Sequence, residues 1–300
     1  MSFALVGCGQ QTETPASADP SEVEALSKLF AAGEQNTGKT PVAATFQHTG
    51  GFQTITGRIR YDGTPPARPS MLSSITKDRE ICVPGGADIL SEKLIVNGQN
   101  NGIANVVLYL KTEKGRVVPI HESAQSPAGT TPTIDNKACE FVPHVAVVHV
   151  GLGSVALKNL DPVAHNMNIQ SRTNRAANFT LPPNSSSTFE LTAEEPMPFP
   201  VSCTIHPWMK GYVHVRGNGY FAVTDEDGKF KIENLPTGDN LTIQVWHEAA
   251  GRSDGGFVNS MTIGGDAANA IKGGFTVTLD KDAAPAELDI AVPPASLPGA

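Results

Sequence analysis

Residues 199–215 read FPVSCTIHPWMKGYVHV, and this stretch decides the fold. Residues 199–202 and 212–215 are strand-like runs, rich in apolar and β-branched side chains. The seven residues CTIHPWM at their centre form a loop between the two strands. One loop therefore presents the thiol of Cys203, the imidazole of His206 and the thioether of Met209.

A second histidine precedes this loop at a useful distance. The segment NLDPVAHNMNI, residues 159–169, places His165 after a turn and at the start of an alternating strand. The 38 positions from His165 to Cys203 include that strand, a polar loop and a further strand. This is enough chain to cross a small β-sandwich and return beside His165. We expect these side chains to converge at one end of a sandwich.

This set of donors suits copper. Soft sulfur stabilises Cu(I), imidazole binds both oxidation states, and two histidines with one cysteine and a weak axial methionine suit a one-electron site. Zinc more often recruits another Cys, His or carboxylate in place of methionine. Taken alone, each residue also has a structural interpretation, such as a core methionine at Met209 or a buried thiol at Cys203.

The same residues resemble the cupredoxins. The Asp-x-x-x-His-Asn start of the His165 strand and the Cys-x₂-His-x₂-Met loop fit plastocyanin-like proteins, and the Cys-Thr-x-His-Pro-aromatic-Met spacing is most similar to amicyanin. The resemblance covers residues from about 136 to 215, within a predicted domain at 136–217. It implies a Greek-key β-sandwich with one mononuclear type 1 (blue) copper ion, bound by His165, Cys203, His206 and Met209. A zinc site or a copper-free relic is the alternative.

The resemblance also implies roles around the metal. Asn166 would tie the Cys203 loop to the first ligand strand by hydrogen bonds, and a turn-capping asparagine is the alternative. His206 would be the ligand at the solvent edge, through which electrons pass. In amicyanin-like loops this histidine can protonate and leave Cu(I), so the reduction potential is expected to rise as the pH falls.

The resemblance implies an electron carrier that serves another extracytoplasmic redox protein. A copper chaperone or sensor is one alternative, and a non-redox surface-binding β-sandwich is another. The formal charge of −8 and the lack of a Lys/Arg run argue against nucleic acid. Four protein ligands leave no open metal position, and no Ser-His-Asp set or phosphate-binding glycine loop is discernible, so we expect no enzyme.

Composition and strand patterns predict an all-β protein with two sandwiches. Glycine (29) and proline (23) are frequent, as in short strands joined by turns. Strand patterns near residues 54–61 and 220–246 resemble the two halves of the carboxypeptidase regulatory-like (transthyretin-like) β-sandwich. About 150 residues separate the two patterns in this chain, so we expect an inserted cupredoxin domain. The predicted domains are a first sandwich part at 49–135, the insert at 136–217, a second sandwich part at 218–250, and a strand with an extended tail at 251–300.

The first residues resemble a lipoprotein signal. Leu5-Val6-Gly7-Cys8 is similar to the lipobox, in which a small residue precedes an acylated cysteine. We expect a lipid on Cys8, a tether over residues 1–48 that contains a short helix at 22–33, and a periplasmic or cell-surface location. Most of the preceding signal pattern is absent, so an accidental match is the alternative.

The remaining cysteines indicate a disulfide. Without Cys8 the chain has Cys82, Cys139 and Cys203, an odd number that is awkward in an oxidising compartment unless one thiol has another task. With Cys203 as a metal ligand, Cys82 and Cys139 are predicted to form a bridge. Two buried free thiols are the alternative.

Overall fold

A computed structural model describes five stretches of the chain, residues 46–113, 116–125, 132–251, 254–267 and 269–299. Cys8, the predicted helix and all of the predicted tether except residues 46–48 lie outside these stretches. Most of the regular secondary structure in these stretches is β-strand, which confirms the all-β class. Within them, no helix has both the length and the apolar character needed to span a bilayer.

The described residues form short strands with few helical turns between them. The strands are β1 (His48–Tyr61), β2 (Val107–Leu110), β3 (Thr133–Lys137), β4 (Glu140–Val142), β5 (Val145–His149), β6 (Ser154–Asn159), β7 (His165–Ile169), β8 (Ala177–Leu181), β9 (Ser186–Glu190), β10 (Phe199–Ser202), β11 (Lys210–Arg216), β12 (Phe221–Val223), β13 (Lys229–Gly238), β14 (Leu241–His247), β15 (Gly256–Phe257), β16 (Thr262–Ile263), β17 (Ala270–Ile271), β18 (Gly274–Val277) and β19 (Ala286–Val292). The α-helices are α1 (Arg79–Cys82) and α2 (Glu122–Gln125), and single 3₁₀ turns are Pro84–Gly86, Val150–Leu152, Glu248–Ala250 and Pro294–Ser296.

The first sandwich packs a sheet of order β13-β1-β19-β16 against a sheet of order β12-β2-β14-β18-β17, with β15 beside β14. Alternation along β1 directs Ile55 and Ile59 into its core, where they meet Leu108 from β2 and Ile243 from β14. Strand β2 is buried at all four positions because its other face is covered as well. That second cover is the other sandwich.

The second sandwich packs a sheet of order β5-β11-β10-β7-β8 against a sheet of order β4-β3-β6-β9. Its core shows the same alternation, with Val155 and Leu157 of β6 buried against Val201 of β10 and Ile169 of β7. This sandwich, formed by strands β3 to β11, contains the predicted copper ligands. Its position therefore decides the surroundings of the site.

The strands before and after the second sandwich pair with each other. Strand β1 pairs antiparallel with β13, and β2 pairs antiparallel with both β12 and β14. The C-terminal region differs from the extended tail that we expected. Strand β19 pairs in parallel with β1 from Ile55↔Ala286 to Tyr61↔Val292, because its alternating residues Ile290 and Val292 fill the first core.

The two sandwiches share an aromatic layer. Tyr212 of β11 contacts Trp246 of β14 edge to face, with ring centroids 4.9 Å apart. Tyr109 of β2 contacts His214 of β11 at 4.5 Å, and the guanidinium of Arg216 lies 4.4 Å above the Tyr109 ring. Such aromatic pairs add about 0.5–1.5 kcal/mol each beyond burial. Strand β11 thus joins the two sandwiches directly after the predicted ligand loop.

A long connection between β1 and β2 also reaches the second sandwich. Ile75, Cys82 and Val83 are buried in the second core, far in sequence from the strands that form it. Cys82 and Cys139, the pair that the sequence predicts, are joined by a disulfide bond across a separation of 57 residues. Closing a loop of that length stabilises the fold by about 4 kcal/mol in the chain-entropy model.

Candidate metal centre

The hairpin of β10 and β11 fixes the loop that carries three of the predicted ligands. Pairing of the two strands stops on either side of residues 203–209, which form the connection. Within it, the Cys203 amide donates to the Met209 carbonyl at 3.2 Å, and the Met209 amide donates to the His206 carbonyl at 2.9 Å. These two hydrogen bonds fold the loop back on itself and hold the three side chains on one turn.

Strand β7 brings the other histidine to this loop. Strands β7 and β10 are antiparallel and pair through Asn168↔Ser202, so the chain beyond Ser202 runs beside the first residues of β7. His165 is the first of these residues. Its ring centroid lies 4.5 Å from that of His206, and both side chains have no exposed surface.

The three strongest donor atoms form a small triangle. The Nδ1 atoms of His165 and His206 are 2.8 Å apart, and Sγ of Cys203 lies 4.0 Å and 3.8 Å from them. Metal bonds of about 2.0 Å to nitrogen and about 2.3 Å to sulfur in a trigonal set separate sulfur from nitrogen by about 3.8 Å. The sulfur–nitrogen spacings therefore already fit one metal ion.

Met209 completes the predicted set. Its side chain is only 2% exposed and lies in the same apolar cluster as Cys203 and Met167. Its backbone is hydrogen-bonded to those of Cys203 and His206, so it lies in the same turn as two of the predicted ligands. Three predicted donors thus form the triangle, and Met209 is buried in the same loop at this end of the second sandwich.

The surroundings of Cys203 favour its metal-binding form. Burial alone would raise the pKa of this thiol. Hydrogen bonds from the His165 ring and from the backbone amides of Asn166, Ile205 and His206 outweigh burial, so the pKa lies below its ordinary value. The thiolate is the form that binds metals, so these contacts prepare the site for a cation.

Asn166 connects the ligand loop to β7. Its backbone amide donates to Sγ of Cys203 at 3.4 Å. Its side-chain oxygen accepts hydrogen bonds from the amide and hydroxyl of Thr204, at 2.8 Å and 3.0 Å, and from the Ile205 amide at 3.3 Å. Its amide nitrogen donates to Asn178 on β8. The residue therefore fixes the loop on the side of the sulfur.

A carboxylate orients His165 from behind. Oδ2 of Asp161 lies 2.9 Å from Nε2 of this histidine, and the backbone amides of Ala138 and Cys139 donate to the same carboxylate at 2.7 Å and 2.9 Å. Burial lowers the pKa of His165, but hydrogen bonds to Asp161 and Cys203 outweigh it and raise the value to about 9 without metal. Nε2 is occupied by Asp161, which leaves Nδ1 to face the triangle.

His206 is also backed by a carboxylate, and this contact corrects one expectation. Oδ2 of Asp78 lies 2.8 Å from Nε2 of His206, and the histidine is completely buried. The prediction that His206 lies at the solvent edge is wrong, because the connection between β1 and β2 covers it. The predicted rise of the potential at low pH depended on that exposure and loses its physical basis.

Comparisons with solved structures find matches among copper proteins. A copper-containing nitrite reductase from Thermus scotoductus SA-01 is 20% identical over 33% of this chain and 25% of its own, with a TM-score of 0.27. An oxidised point mutant of amicyanin is 20% identical over 33% and 97%, at 0.26. A purple cupredoxin from Nitrosopumilus maritimus is 23% identical over 28% and 99%, at 0.24.

This chain spans a quarter of the nitrite reductase, and the shared part is about a third of its own length. No protein-family model and no curated protein matches the chain. Support for a copper site in this chain therefore comes from its own side chains, namely the buried triangle of donors and the residues that hold those donors in place.

A second possible cluster does not compete with the triangle. Cys139, Asp161 and His165 lie close enough together to hold a metal. However, the sulfur of Cys139 is in the disulfide with Cys82 and cannot act as a thiolate. Within the described residues, the triangle is the cluster of potential metal ligands that has a free thiol.

Proposed function

We propose that this chain binds one copper ion in a mononuclear type 1 site and carries single electrons between extracytoplasmic redox proteins. His165, Cys203 and His206 would hold the ion strongly, and Met209 weakly. The observation that carries the proposal is the buried triangle, in which a thiol with a lowered pKa faces two imidazole nitrogens at 3.8–4.0 Å. Two nitrogens, one thiolate and a thioether suit copper better than zinc.

The protein's own residues prepare this site for electron transfer. Both histidines are held at Nε2 by carboxylates, and Cys203 is held by Asn166, so the donors already point at one another. A bound copper ion would supply the Cu(II)/Cu(I) couple. Donors that are fixed before binding move little when the charge of the ion changes, and such preorganisation favours rapid one-electron exchange.

The closed surroundings argue against two other roles. Four protein donors would leave no coordination position for a substrate, so we propose no enzymatic activity. A copper chaperone must release its metal readily. In this protein Cys203 and Met209 are each 2% exposed and both histidines are covered, which favours retention of the ion.

The proposed location outside the cytoplasm rests on the disulfide. Disulfides persist in oxidising compartments and are rare in the cytosol. The Cys82–Cys139 bridge therefore supports a periplasmic or cell-surface protein. Acylation of Cys8 would add a membrane anchor of one lipid-modified residue and is part of this proposal.

Because His206 is covered, we propose that electrons pass between the metal centre and the surface through Trp208. Its ring centroid lies 5.0 Å from that of His206, and it lines an open pocket of about 270 Å³ together with Pro207 and Lys210.

We expect Trp208→Leu to slow electron self-exchange of the copper protein and to leave its absorption spectrum unchanged. Line broadening in NMR spectra of mixed oxidation states measures the rate. An unaltered rate would show that electrons leave elsewhere.

Adding Cu(II) to the purified full chain tests the proposed function. A thiolate–copper bond in a type 1 site gives an intense absorption band at about 600 nm. We expect this band at one equivalent of Cu(II) and its loss after reduction. A protein that binds Cu(II) without colour, or prefers Zn(II), would contradict the proposal.

A further inference from the structure

Residues 70–91 form a closed loop, which we call the covering loop. Its base is a bridge between Ser70 and Leu90, and the Met71 amide donates to the Ile89 carbonyl at 2.7 Å. Just outside the base, the Arg68 guanidinium donates to the carbonyls of Leu90 and Ser91. The two ends of the loop are therefore held together, independently of what its tip contacts.

The tip of the covering loop is fixed against the second sandwich. Ile75, Cys82 and Val83 are each at most 4% exposed and lie in the core that also contains Cys203 and Met209. Cys82 is bonded to Cys139. The loop is thus anchored by apolar contacts and by a covalent bond on one side of the metal centre.

Asp78 is held in one orientation at this tip. Its backbone has φ +49°, in the left-handed region that few residues other than glycine and asparagine adopt. Its carbonyl accepts hydrogen bonds from the amides of Ile81 and Cys82 at 3.0 Å and 2.9 Å. Next to it, Arg79 donates to the carbonyls of Leu72 and Ile75. These contacts direct the carboxylate to Nε2 of His206.

The disulfide connects the supports of both histidines. Cys82 lies four residues after Asp78, whose carboxylate contacts His206. Cys139 donates its backbone amide to Asp161, whose carboxylate contacts His165. A single covalent bond therefore joins the two segments that hold the outer nitrogens of the proposed ligands.

From this arrangement we infer that Asp78 is a positioning residue of the copper centre, and that the disulfide-anchored covering loop exists to hold it against His206. The inference rests on the proposed function. A carboxylate at Nε2 makes the imidazole a stronger donor and adds negative charge beside the ion, and both effects favour Cu(II) over Cu(I). Outer partners of this kind typically change metal affinity by about 10–100-fold.

The first test replaces Asp78 in the full chain. Asp78→Asn keeps the size and tolerates the left-handed backbone, but it removes the charge. We expect the ratio of Cu(I) to Cu(II) affinity to rise about tenfold, which raises the reduction potential by about 59 mV. Asp88→Asn is the matched control, because Asp88 lies in the same loop, carries the same charge and bonds to Ser70. It should leave the potential nearly unchanged.

A second readout needs no copper. In the metal-free protein, the ¹⁵N resonance of His206 Nε2 should shift in Asp78→Asn and stay in place in Asp88→Asn. Equal potentials and an unshifted resonance in the two variants would overturn the inference. If the unmodified protein shows no thiolate–copper band, the proposed function fails, and the resonance still decides whether Asp78 holds His206.

Removing the disulfide tests the anchor. The double variant Cys82→Ser/Cys139→Ser should raise the potential as Asp78→Asn does, because the covering loop loses its covalent tie to the second sandwich. A double variant that stays folded and keeps the potential of the unmodified protein would show that the loop does not depend on the bridge. If the double variant unfolds, Asp78→Asn remains the deciding measurement.

Discussion

Replacing Cys203 by serine is expected to abolish the absorption band at about 600 nm in the copper-loaded protein. Serine fits the same space, but its hydroxyl is not ionised at neutral pH and binds copper poorly. The loss of Cu(II) affinity should exceed the ~10–100-fold that removal of an outer partner costs. Absorption spectroscopy and competition with a chelator of known affinity measure both effects.

Controls separate this result from a general loss of structure. Thr204→Ser keeps the hydroxyl that donates to Asn166 and does not touch the donor triangle, so its spectrum should match that of the unmodified protein. Far-ultraviolet circular dichroism should show the same strand content in both variants. A band that persists in Cys203→Ser would place the copper thiolate elsewhere and refute the assignment.

The ligand loop could be predicted because the residues that define it are close together in the sequence. Three donors lie within the seven residues 203–209, and strand patterns on both sides place them on one turn. His165 could be added because an Asp-x-x-x-His-Asn pattern precedes a strand. The structure brings His165, Cys203 and His206 together, with Met209 buried in the same loop, and Asn166 makes the bonds to the ligand loop that the resemblance implies.

Asp78 could not be predicted, for a physical reason. It lies 128 residues before His206, in a region without regular alternation, and its contact depends on a loop folded across another sandwich. Periodicity reports which face of a strand is buried, and it does not report where a long connection packs. The pairing of Cys82 with Cys139 was the single sequence feature that pointed to this neighbourhood.

The fold also has features that local sequence predicts and features that it does not. The all-β class followed from turns and alternation, but the place of β19 did not. Residues 286–292 alternate, yet they pair in parallel with β1, more than 220 residues away. Parallel partners are joined by long connections, so local sequence carries no signal for them. The proline- and alanine-rich surroundings indicated an extended tail instead.

Strand β11 links the metal centre to the rest of the molecule. It begins directly after Met209, and its alternate residues point to opposite sides. Val213 and Val215 enter the core of the second sandwich, while Tyr212 and His214 contact the first. The first sandwich therefore braces the strand that ends the ligand loop, which gives the two-sandwich arrangement a role in holding the site rigid.

A buried histidine at this junction predicts how stability depends on pH. His144 lies between two carboxylates, 2.8 Å from Glu248 and 3.1 Å from Glu92, and Glu248 also accepts a hydrogen bond from Tyr212. Burial lowers the pKa of His144, but the two glutamates outweigh it and raise the value to about 9. Burial and Glu248 raise the pKa of Tyr212, so it stays neutral over this range.

Stability should fall as the pH rises, because the folded and unfolded states bind the His144 proton with different affinity. In the unfolded chain histidine has a pKa of about 6.5, so the folded state binds the proton more tightly. The stabilisation is complete below about pH 6.5 and is lost as the pH rises through about 9. A shift of this size corresponds to about 3 kcal/mol, or about a three-hundredfold change in the unfolding equilibrium. We expect this loss between about pH 6 and about pH 10.

Urea unfolding of the metal-free protein at several pH values measures this loss of stability. Two variants are measured beside the unmodified chain. His144→Gln should be less stable at about pH 6, and its difference from the unmodified protein should shrink by about 3 kcal/mol as the pH rises to about 10. His247→Gln is the matched control. Burial is the main cause that lowers the pKa of His247 to about 4, so this histidine stays neutral throughout the pH range. His165 titrates equally in all three proteins and cancels. A His144→Gln difference that is constant with pH would show that His144 is uncharged between its glutamates.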